Sequence, residues 1–341
     1  MKAISYTRTG DSSVLRLGER AVPDPGAGQV RVRVVLSGVN PTDWKHRAGT
    51  APGQELEFPE VVPHHDGAGL VDAVGAGVEG VSVGDRVWVF MAQHNDPEGT
   101  AQEYVVLPAQ RVVPLPDDVS FEVGASLGVP AITAHRALTV AEGWPSRLAP
   151  GALQGATVLV AGGAGAVGHA AIQLARWAGA RVVTTVSSPE KAALASAAGA
   201  HHVVDYRAED AAAAIRAVAP DGVDIVVEVA PAQNAALDAA VVKNRATIAI
   251  YANNGGTGVE LDIVSNMWLN ARYQFLVLYT VGDDVLAAAG ADVAAAVRDG
   301  AMAVGDDAGL PVHYFALEET AAAHDAVESG VTGKVLIRVS E

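Results

Sequence analysis

TVLVAGGAGAVGHAAIQLARWAGA, residues 157–180, is the stretch of this 341-residue chain that decides its fold. An apolar run is followed by Gly163, Gly165 and Gly168 in G-x-G-x-x-G spacing, and then by an Ala-rich helical pattern. Glycines at this spacing allow a tight turn, admit a pyrophosphate close to the backbone and let the helix pack on the strand. The stretch predicts a dinucleotide-binding loop in which Ala166 and Val167 offer N–H groups to the anion. A tight strand-to-helix turn that serves only packing is the alternative.

The same alternation of strand and helix continues on the carboxyl side of this loop. Apolar runs typical of buried strands occupy residues 157–161, 181–186, 202–204, 225–229 and 246–251, and Ala-rich helical segments separate them. Buried strands that alternate with helices of ten to fifteen residues are typical of a parallel sheet. The sequence therefore predicts a Rossmann domain with a doubly wound parallel sheet.

The amino-terminal part of the chain has a different pattern. Residues 30–36, VRVRVVL, alternate with period two, and short apolar runs at 69–74, 86–90 and 103–106 are separated by Gly and Pro turns without helical periodicity. We predict a mostly β domain that ends near Phe121, where a helical pattern begins. After an apolar run at 273–279, the sequence predicts helices at 285–298 and 318–328 and a last strand at 334–339.

The end of the second predicted strand, VVTTVSSPEK at 182–191, indicates which dinucleotide binds. NAD sites usually offer an acidic residue here to the ribose 2′-hydroxyl, and this strand end has none. Ser187 and Ser188 can donate hydrogen bonds to a 2′-phosphate, and Lys191 can neutralise it. These residues favour NADPH, although Glu190 opposes an anion and Lys191 has the alternative of a solvated surface charge.

Composition excludes several function classes. The chain has no Cys, which removes disulfides, thiolate metal ligands and a cysteine nucleophile. Its formal net charge of -16 disfavours nucleic acid and anionic membranes as partners. No apolar run is long enough to span a bilayer, and the first residues lack the apolar core of a signal peptide. We expect a soluble cytoplasmic protein.

Four motifs extend over nearly the whole chain: GVNPTDWKHRAG (38–49), DGAGLVDAVGAGVEGVSVGDRV (66–87), AGGAGAVGHAAIQLARWAGARVV (161–183) and AHDAVESGVTGKVLI (323–337). In this order they resemble the zinc-free quinone oxidoreductase, zeta-crystallin-like branch of the medium-chain dehydrogenases/reductases. The resemblance implies an α/β protein with a GroES-like, mostly β catalytic domain (1–125 and 283–341) and a Rossmann cofactor-binding domain (126–282). It also implies an active site in the cleft between them.

The resemblance further assigns cofactor contacts. Lys191 and Tyr206 match positions that hold the 2′-phosphate. The family's phosphate-binding Arg near the carboxyl terminus falls on Gly330, and Lys334 is a possible substitute. Asn253 matches a loop that borders the nicotinamide, with an ordinary Asn turn as the alternative.

Zinc-dependent relatives have a catalytic Cys where this chain has Asn40, so the resemblance implies that no metal is bound. His65 is expected to line the cleft as a hydrogen-bonding residue, and a weak metal site formed with Asp66 is the alternative. Hydride transfer to a carbon conjugated to a carbonyl needs a donor for the oxygen that becomes negative. The candidate catalytic residues are Asn40, Lys45, His65 and Thr133.

These expectations predict an NADPH-dependent oxidoreductase that reduces small-molecule quinones or α,β-unsaturated carbonyl compounds without zinc. Two alternatives stay open: an enoyl-thioester or enone reductase, which the Asn40–Lys45 motif also resembles, and a nucleotide-binding, crystallin-like protein without catalysis. The apolar segment Phe275–Tyr279 predicts an exposed edge strand, and since such edges are normally covered, we expect a homodimer that pairs through it.

Overall fold

The computed structural model describes residues 1–49 and 55–340. Its contacts divide the chain into two compact units, the first formed by Met1–Val129 with Pro311–Glu341 and the second by Pro130–Leu310. Within the described residues, no helix is both long and apolar enough to cross a membrane.

The amino-terminal part of the first unit is rich in strands. Its elements are β1 (Lys2–Ser5), β2 (Arg16–Glu19), β3 (Gln29–Val39), α1 (Pro41–Ala48), β4 (Asp66–Val74), β5 (Arg86–Val89), β6 (Tyr104–Pro108), β7 (Val112–Pro114) and α2 (Phe121–Leu138). The prediction of a mostly β domain is confirmed. The alternation seen at residues 30–36 continues through β3, where Val30, Val32 and Val34 are buried in a core against β4, β5 and β6.

Helix α1 was not predicted. The start of α1 nevertheless has a recognisable sequence signal, because Pro41 occupies its first position and Asp43 accepts the backbone N–H of Asn40 at 2.6 Å. The helix has only eight residues and a mostly polar sequence, so apolar periodicity could not reveal it.

The second unit contains the predicted alternation of strands and helices. Its elements are β8 (Thr157–Ala161), α3 (Ala166–Trp177), β9 (Arg181–Val186), α4 (Pro189–Ala197), β10 (His202–Asp205), α5 (Ala211–Val218), β11 (Val223–Glu228), α6 (Pro231–Val241), β12 (Val242–Ile250), α7 (Ile263–Leu269), β13 (Arg272–Phe275) and α8 (Asp283–Arg298).

All six strands of the second unit pair in parallel, in the order β10-β9-β8-β11-β12-β13. This is the doubly wound order of a Rossmann domain, in which the strand order reverses beside β8. The strands are nearly continuous apolar runs because helices cover both faces of such a sheet. Since their carboxyl ends lie at one edge, the sheet brings the loops after β8, β9, β11 and β12 together.

The carboxyl-terminal residues complete the first unit with β14 (Val312–Ala316), α9 (Thr320–Glu328) and β15 (Lys334–Arg338). Strand β15 pairs antiparallel with β3, and the sheet has the order β14-β15-β3-β4-β5-β7, with β6 also paired to β3. The return of the last residues to the first unit was expected from resemblance alone. It depends on a pairing of segments about 300 residues apart, which no local pattern reveals.

Helix α8 lies outside the unit to which the predicted bounds assigned it. We expected residues 283–341 to join the first unit, but the contacts keep everything up to Leu310 in the second. The reason is packing and charge: α8 contacts α3, and its buried Asp292 accepts hydrogen bonds from His135 at 2.8 Å and from the backbone of Leu148 at 2.8 Å.

The edge strand of the Rossmann sheet also differs from the prediction. We expected it at Phe275–Tyr279, but β13 covers Arg272–Phe275 and the chain then forms a short 3-10 turn at Leu278–Thr280. Strand β13 is shifted toward the amino terminus because Thr247–Ile250 of β12 pair with residues 272–275.

Candidate functional site

The loop between β8 and α3 depends on glycine for its shape. Gly162 has a φ of +70°, in the left-handed region that favours glycine. A Cβ on Gly163 would lie 2.1 Å from Thr184 Oγ1, and one on Gly168 would lie 2.4 Å from the carbonyl oxygen of Gly162. A Cβ on Gly165 would meet only that same oxygen, at 3.5 Å. Gly163 and Gly168 therefore permit close packing, whereas Gly165 keeps one side of the loop open.

Helix α3 begins at this open side. Gly165 is its amino-terminal cap, and Ala166 and Val167 form the start of its first turn. The N–H groups of a first turn have no partners within the helix, and the helix dipole places partial positive charge there. With an unobstructed approach at Gly165, this end of α3 fits the pyrophosphate of a dinucleotide.

The residues predicted to hold a 2′-phosphate lie together at the carboxyl ends of β9 and β10. Lys191 Nζ donates to Ser187 Oγ at 3.3 Å, and Ser188 Oγ accepts the backbone N–H of Lys191 at 3.3 Å as the cap of α4. The backbone N–H of Tyr206 donates to the carbonyl of Val186 at 3.1 Å, which brings its half-exposed ring to the same edge. Two hydroxyls, an ammonium and a phenol thus border one exposed corner.

Glu190 adds a negative charge beside this corner. The Ser188 hydroxyl donates to its carboxylate and lowers the pKa of Glu190, which is fully exposed. Glu190 therefore keeps its charge at neutral pH, and Lys191 and the two serines must compensate for it when an anion binds.

Asn253 lies in the exposed loop after β12. Its carbonyl accepts the N–H of Gly256 at 3.2 Å, and the next residue, Asn254, donates its backbone N–H to the carbonyl of Val229 at 3.0 Å. The loop after β12 is therefore hydrogen-bonded to the loop after β11. Val229 in turn lies beside the phosphate loop, because a Cβ on Gly162 would be 3.4 Å from Val229 Cγ1.

Lys334 is not placed to bind a phosphate. Its side chain is 1% exposed inside the first unit, where Nζ donates to Asn40 Oδ1 at 2.8 Å and lies 3.8 Å from Asp66 Oδ2. Burial lowers the pKa of Lys334, while the charges of Asp66 and Asp43 oppose that shift. The expectation that Lys334 replaces the family's phosphate-binding Arg is therefore wrong, because the Lys334 ammonium belongs to a buried ion pair.

Asn40 belongs to the same buried network. The Asn40 side chain is 2% exposed, and its Nδ2 donates to Asp66 Oδ2 at 2.7 Å while its Oδ1 accepts from Lys334. Asp66 also accepts the backbone N–H of Val129 at 2.8 Å. Burial raises the pKa of Asp66, and Lys334 opposes this. The Asn40 amide thus links a carboxylate to an ammonium, whereas we expected it to orient a substrate carbonyl.

The other three predicted catalytic residues have different surroundings. Lys45 is exposed on α1, with Nζ 5.8 Å from the centre of the Trp44 ring. His65 is fully buried, and burial, with a smaller contribution from His46, lowers its pKa to about 3, so the ring is neutral. Thr133 is buried in α2 and belongs to the second unit, whereas Asn40, Lys45 and His65 all belong to the first.

Among the described residues, no group of three or more His, Asp or Glu side chains is arranged to hold a metal ion. A cavity of about 700 Å³ in the first unit is lined by residues 7–11, 13, 14 and 55–59. None of the predicted site residues lines this cavity, so its chemistry is separate from the cofactor corner of the second unit.

Two features of the site were missed in the sequence. Gly162 precedes the G-x-G-x-x-G triplet and makes the turn, and the Gly162–Gly163 doublet was its signal. The network of Asp43, Asp66 and Lys334 had no sequence signal, because its members come from α1, β4 and β15. Burial and the neighbouring charge of Asp66 raise the pKa of Asp43 well above its ordinary value.

Two family models match the chain in its two parts. The model described as Alcohol dehydrogenase GroES-like domain matches residues 26–117, and the model described as Zinc-binding dehydrogenase matches residues 166–284.

Relatives of known activity and structure are similar over most or all of the chain. A quinone oxidoreductase of Lama guanicoe is 30% identical over 99% of this chain and 97% of its own length. A 2-haloacrylate reductase of Burkholderia sp. is 29% identical over 78% of this chain and 77% of its own length. The structure of a mycobacterial protein complexed with NADPH has a TM-score of 0.80 and 30% identity, and covers 99% of both chains.

Proposed function

The chain belongs to the quinone oxidoreductase branch of the medium-chain dehydrogenases/reductases, and from this membership we propose that it uses NADPH to reduce quinones or α,β-unsaturated carbonyl compounds without zinc. The observation that carries the proposal is the single carboxyl edge of the Rossmann sheet. There the open side of the loop at Gly165 and the corner formed by Ser187, Ser188, Lys191 and Tyr206 are offered by adjacent strand ends.

The polar corner supports NADPH over NADH. Lys191 is held by Ser187, so an ammonium stands beside two hydroxyl donors where NAD sites have a carboxylate. A charge-assisted hydrogen bond to phosphate is stronger than a neutral one, and Lys binds phosphate as a point charge. The mycobacterial protein that is 30% identical to this chain was solved in complex with NADPH, which supports NADPH as the cofactor.

When bound, the cofactor supplies a hydride to an electrophilic carbon. The residues of this chain bind and orient it: the N–H groups of Ala166 and Val167 hold the pyrophosphate, and the Asn253 loop offers backbone groups to the nicotinamide carboxamide. These contacts come from different strand ends of one sheet. The groups that orient the cofactor are therefore in place before it binds.

Zinc does not fit the donor set of the first unit. The chain has no Cys, and the amide oxygen of Asn40 accepts a hydrogen bond from the Lys334 ammonium at 2.8 Å. A cation is therefore already fixed where Asn40 and Asp66 would offer oxygen ligands, and a second cation would be repelled. No step of the proposed reaction uses a metal.

Lys45 is the best candidate for stabilising the charge that develops on the substrate oxygen. It is exposed, whereas Asn40 is hydrogen-bonded at both ends of its amide and His65 is buried and neutral. We assign Asn40 and His65 positioning roles, and Thr133 is a second candidate, through its hydroxyl, for donating to the substrate.

An activity assay distinguishes quinones from conjugated carbonyl compounds as the substrate class. Similarity to the Lama guanicoe quinone oxidoreductase supports quinones as the substrate class. Similarity to the Burkholderia 2-haloacrylate reductase supports a conjugated acid. We would follow NADPH oxidation with a small quinone and with a 2-alkenone in parallel, and repeat both with NADH. Turnover of the quinone with NADPH supports the proposal as stated, and preference for the alkenone supports the enone or enoyl-thioester reductase. NADPH binding without turnover of either would favour a nucleotide-binding protein without catalysis.

A further inference from the structure

Glu228 is a buried carboxylate at the carboxyl end of β11 to which the proposed function gives no role. Its side chain is 0% exposed. Oε1 accepts the backbone N–H of Ala230 and, at 3.0 Å, an Nδ2 hydrogen of Asn234, and Oε2 lies 3.2 Å from the same nitrogen. Since Asn234 is in the first turns of α6, this carboxylate ties the end of the strand to the start of the helix.

Asp238 approaches Glu228 from the next turn of α6. It is 1% exposed and in hydrogen-bond contact with Glu228, and among the described residues its Oδ2 has no partner. Burial raises the pKa of Asp238 well above its ordinary value, and the charge of Glu228 raises it further. Because two ionised carboxylates in one buried contact are unfavourable, Asp238 keeps its proton and donates it to Glu228.

The segment that Glu228 holds lies between two cofactor loops. The carbonyl of Glu228 accepts the N–H of Tyr251 at 3.1 Å, and the carbonyl of Val229 accepts that of Asn254 at 3.0 Å. Val229 also lies beside Gly162 of the phosphate loop. A change in the Glu228 carboxylate would therefore shift the backbone that supports both loops.

We propose that Glu228 and protonated Asp238 form a hydrogen-bonded acid pair that positions the β11–α6 segment, and through it the loops that hold the pyrophosphate and the nicotinamide. The inference rests on the proposed function. Neither residue is assigned a contact with substrate or cofactor, so both are positioning residues. The pair also makes cofactor affinity sensitive to a rise in pH, since loss of the shared proton leaves two negative charges in contact.

The other polar groups around the pair are few and do not replace its proton. Tyr251, directly after β12, faces Glu228, and Tyr273 of β13 faces Asp238 while its hydroxyl donates to Asn266 at 2.8 Å. Arg216 of α5 donates to the carbonyls of Ala240 and Val242. Asp238 is therefore the group whose proton the pair shares.

Two isosteric variants test the proposal through the dissociation constant of NADPH, measured by calorimetry at a series of pH values from acid to alkaline. Asp238→Asn supplies a permanent N–H donor to Glu228, so we expect its constant at pH 7 to stay within about twofold of wild type. Glu228→Gln removes the charge that holds Ala230 and Asn234, so we expect a constant about tenfold higher. As the pH is raised and Asp238 loses its proton, the constant of wild type should rise, and that of Asp238→Asn should not.

The opposite pattern overturns the proposal: equal loss of affinity with rising pH in wild type and Asp238→Asn, or unchanged affinity in Glu228→Gln. If Glu228→Gln does not fold, as circular dichroism would show, the comparison of wild type with Asp238→Asn decides alone. A wild type that binds no NADPH contradicts the proposed function instead. In that case the Tm of the cofactor-free proteins still tests the shared proton, because only wild type should lose stability as the pH rises.

Discussion

We propose that the choice of cofactor depends on Lys191. Its ammonium is held by Ser187, and its backbone N–H by Ser188, so the charge is fixed at the corner where a 2′-phosphate would lie. Tyr206 borders the same corner through its backbone contact with Val186. NADH lacks the 2′-phosphate and would make no use of this ammonium.

We predict that Lys191→Ala weakens NADPH binding about tenfold and leaves NADH binding nearly unchanged, because a hydrogen bond to a charged group contributes about 1.5–3 kcal/mol. KM values for the two cofactors, measured with one acceptor substrate, check this. Lys2→Ala is the matched control, since its ion pair with Glu318 is exposed on both sides and such pairs contribute little. Equal losses for NADPH and NADH would show that Lys191 does not contact the 2′-phosphate.

At the residue scale, the sequence indicates which side chains lie together only where they are neighbours in the chain. Ser187, Ser188 and Lys191 are neighbours in the chain, so a local motif places them together. Asn40 and Lys334 are separated by 294 positions, and their hydrogen bond depends on the pairing of β15 with β3. No local pattern indicates that Lys334 is buried with Asp66, and for this reason its assignment to the phosphate was wrong.

The glycines of the loop between β8 and α3 have two different roles: Gly168 permits close packing, and Gly165 leaves room for the cofactor. Gly165→Ala adds a methyl group on the open side, so we predict that the variant folds with a Tm near that of wild type but binds NADPH at least about tenfold more weakly. Gly168→Ala places its Cβ against the carbonyl oxygen of Gly162 and should lower the free energy of unfolding by about 1–3 kcal/mol. Thermal unfolding and NADPH titration of both variants provide the measurements. The same loss of Tm in both would contradict this division of roles.

Among elements, long apolar patterns were predicted well and short polar ones were not. Strands β8 and β9 have the predicted bounds because each is an apolar run buried by helices on both faces. Helix α1 was missed since its eight residues are mostly polar and its stability comes from the Pro41 start and the Asp43 contact. Strand β13 was displaced because pairing with β12, and not the apolar run at 275–279, determines which residues join the sheet.

Several buried histidines make the stability of the whole molecule sensitive to low pH. Burial lowers the pKa of His169 to about 4 and those of His65 and His324 to about 3, from an ordinary value of 6.5. His64 and His324 share a hydrogen bond of 2.8 Å that requires a neutral ring on at least one side. In the unfolded chain these rings take up protons below about pH 6.5, whereas the folded protein resists them.

We therefore predict that Tm falls steadily as the pH is lowered from about 6.5 toward 4, before most carboxylates protonate. His169→Gln retains a donor for the carbonyl of Ala308, which His169 contacts at 2.8 Å, but cannot take up a proton. Its Tm should depend less steeply on pH than that of wild type, as scanning calorimetry at four or five pH values would measure. Parallel curves for the two proteins would exclude His169 as a source of the acid sensitivity.

The free edge of the Rossmann sheet carries the prediction of a homodimer. Among the described residues, strand β13 pairs only with β12, so its outer backbone groups are available to another strand. Large apolar side chains are exposed beside it on α7, where Trp268 is 81% and Met267 69% exposed, and Phe275 on β13 is 62% exposed. Two copies related by a two-fold axis would pair these edges antiparallel and cover the same side chains on each.

Light scattering coupled to size exclusion should therefore give a dimer mass for wild type, and Trp268→Lys or Phe275→Lys should shift the protein toward monomer, because each places a charge within the paired surface. Val83→Lys is the matched control, since Val83 is 66% exposed and belongs to the first unit. The shift should appear at low micromolar concentration, where a weakened interface dissociates first. A monomer mass for wild type, or dimers that both lysine variants leave intact, would show that the β13 edge is not the contact and that α7 is exposed for another reason.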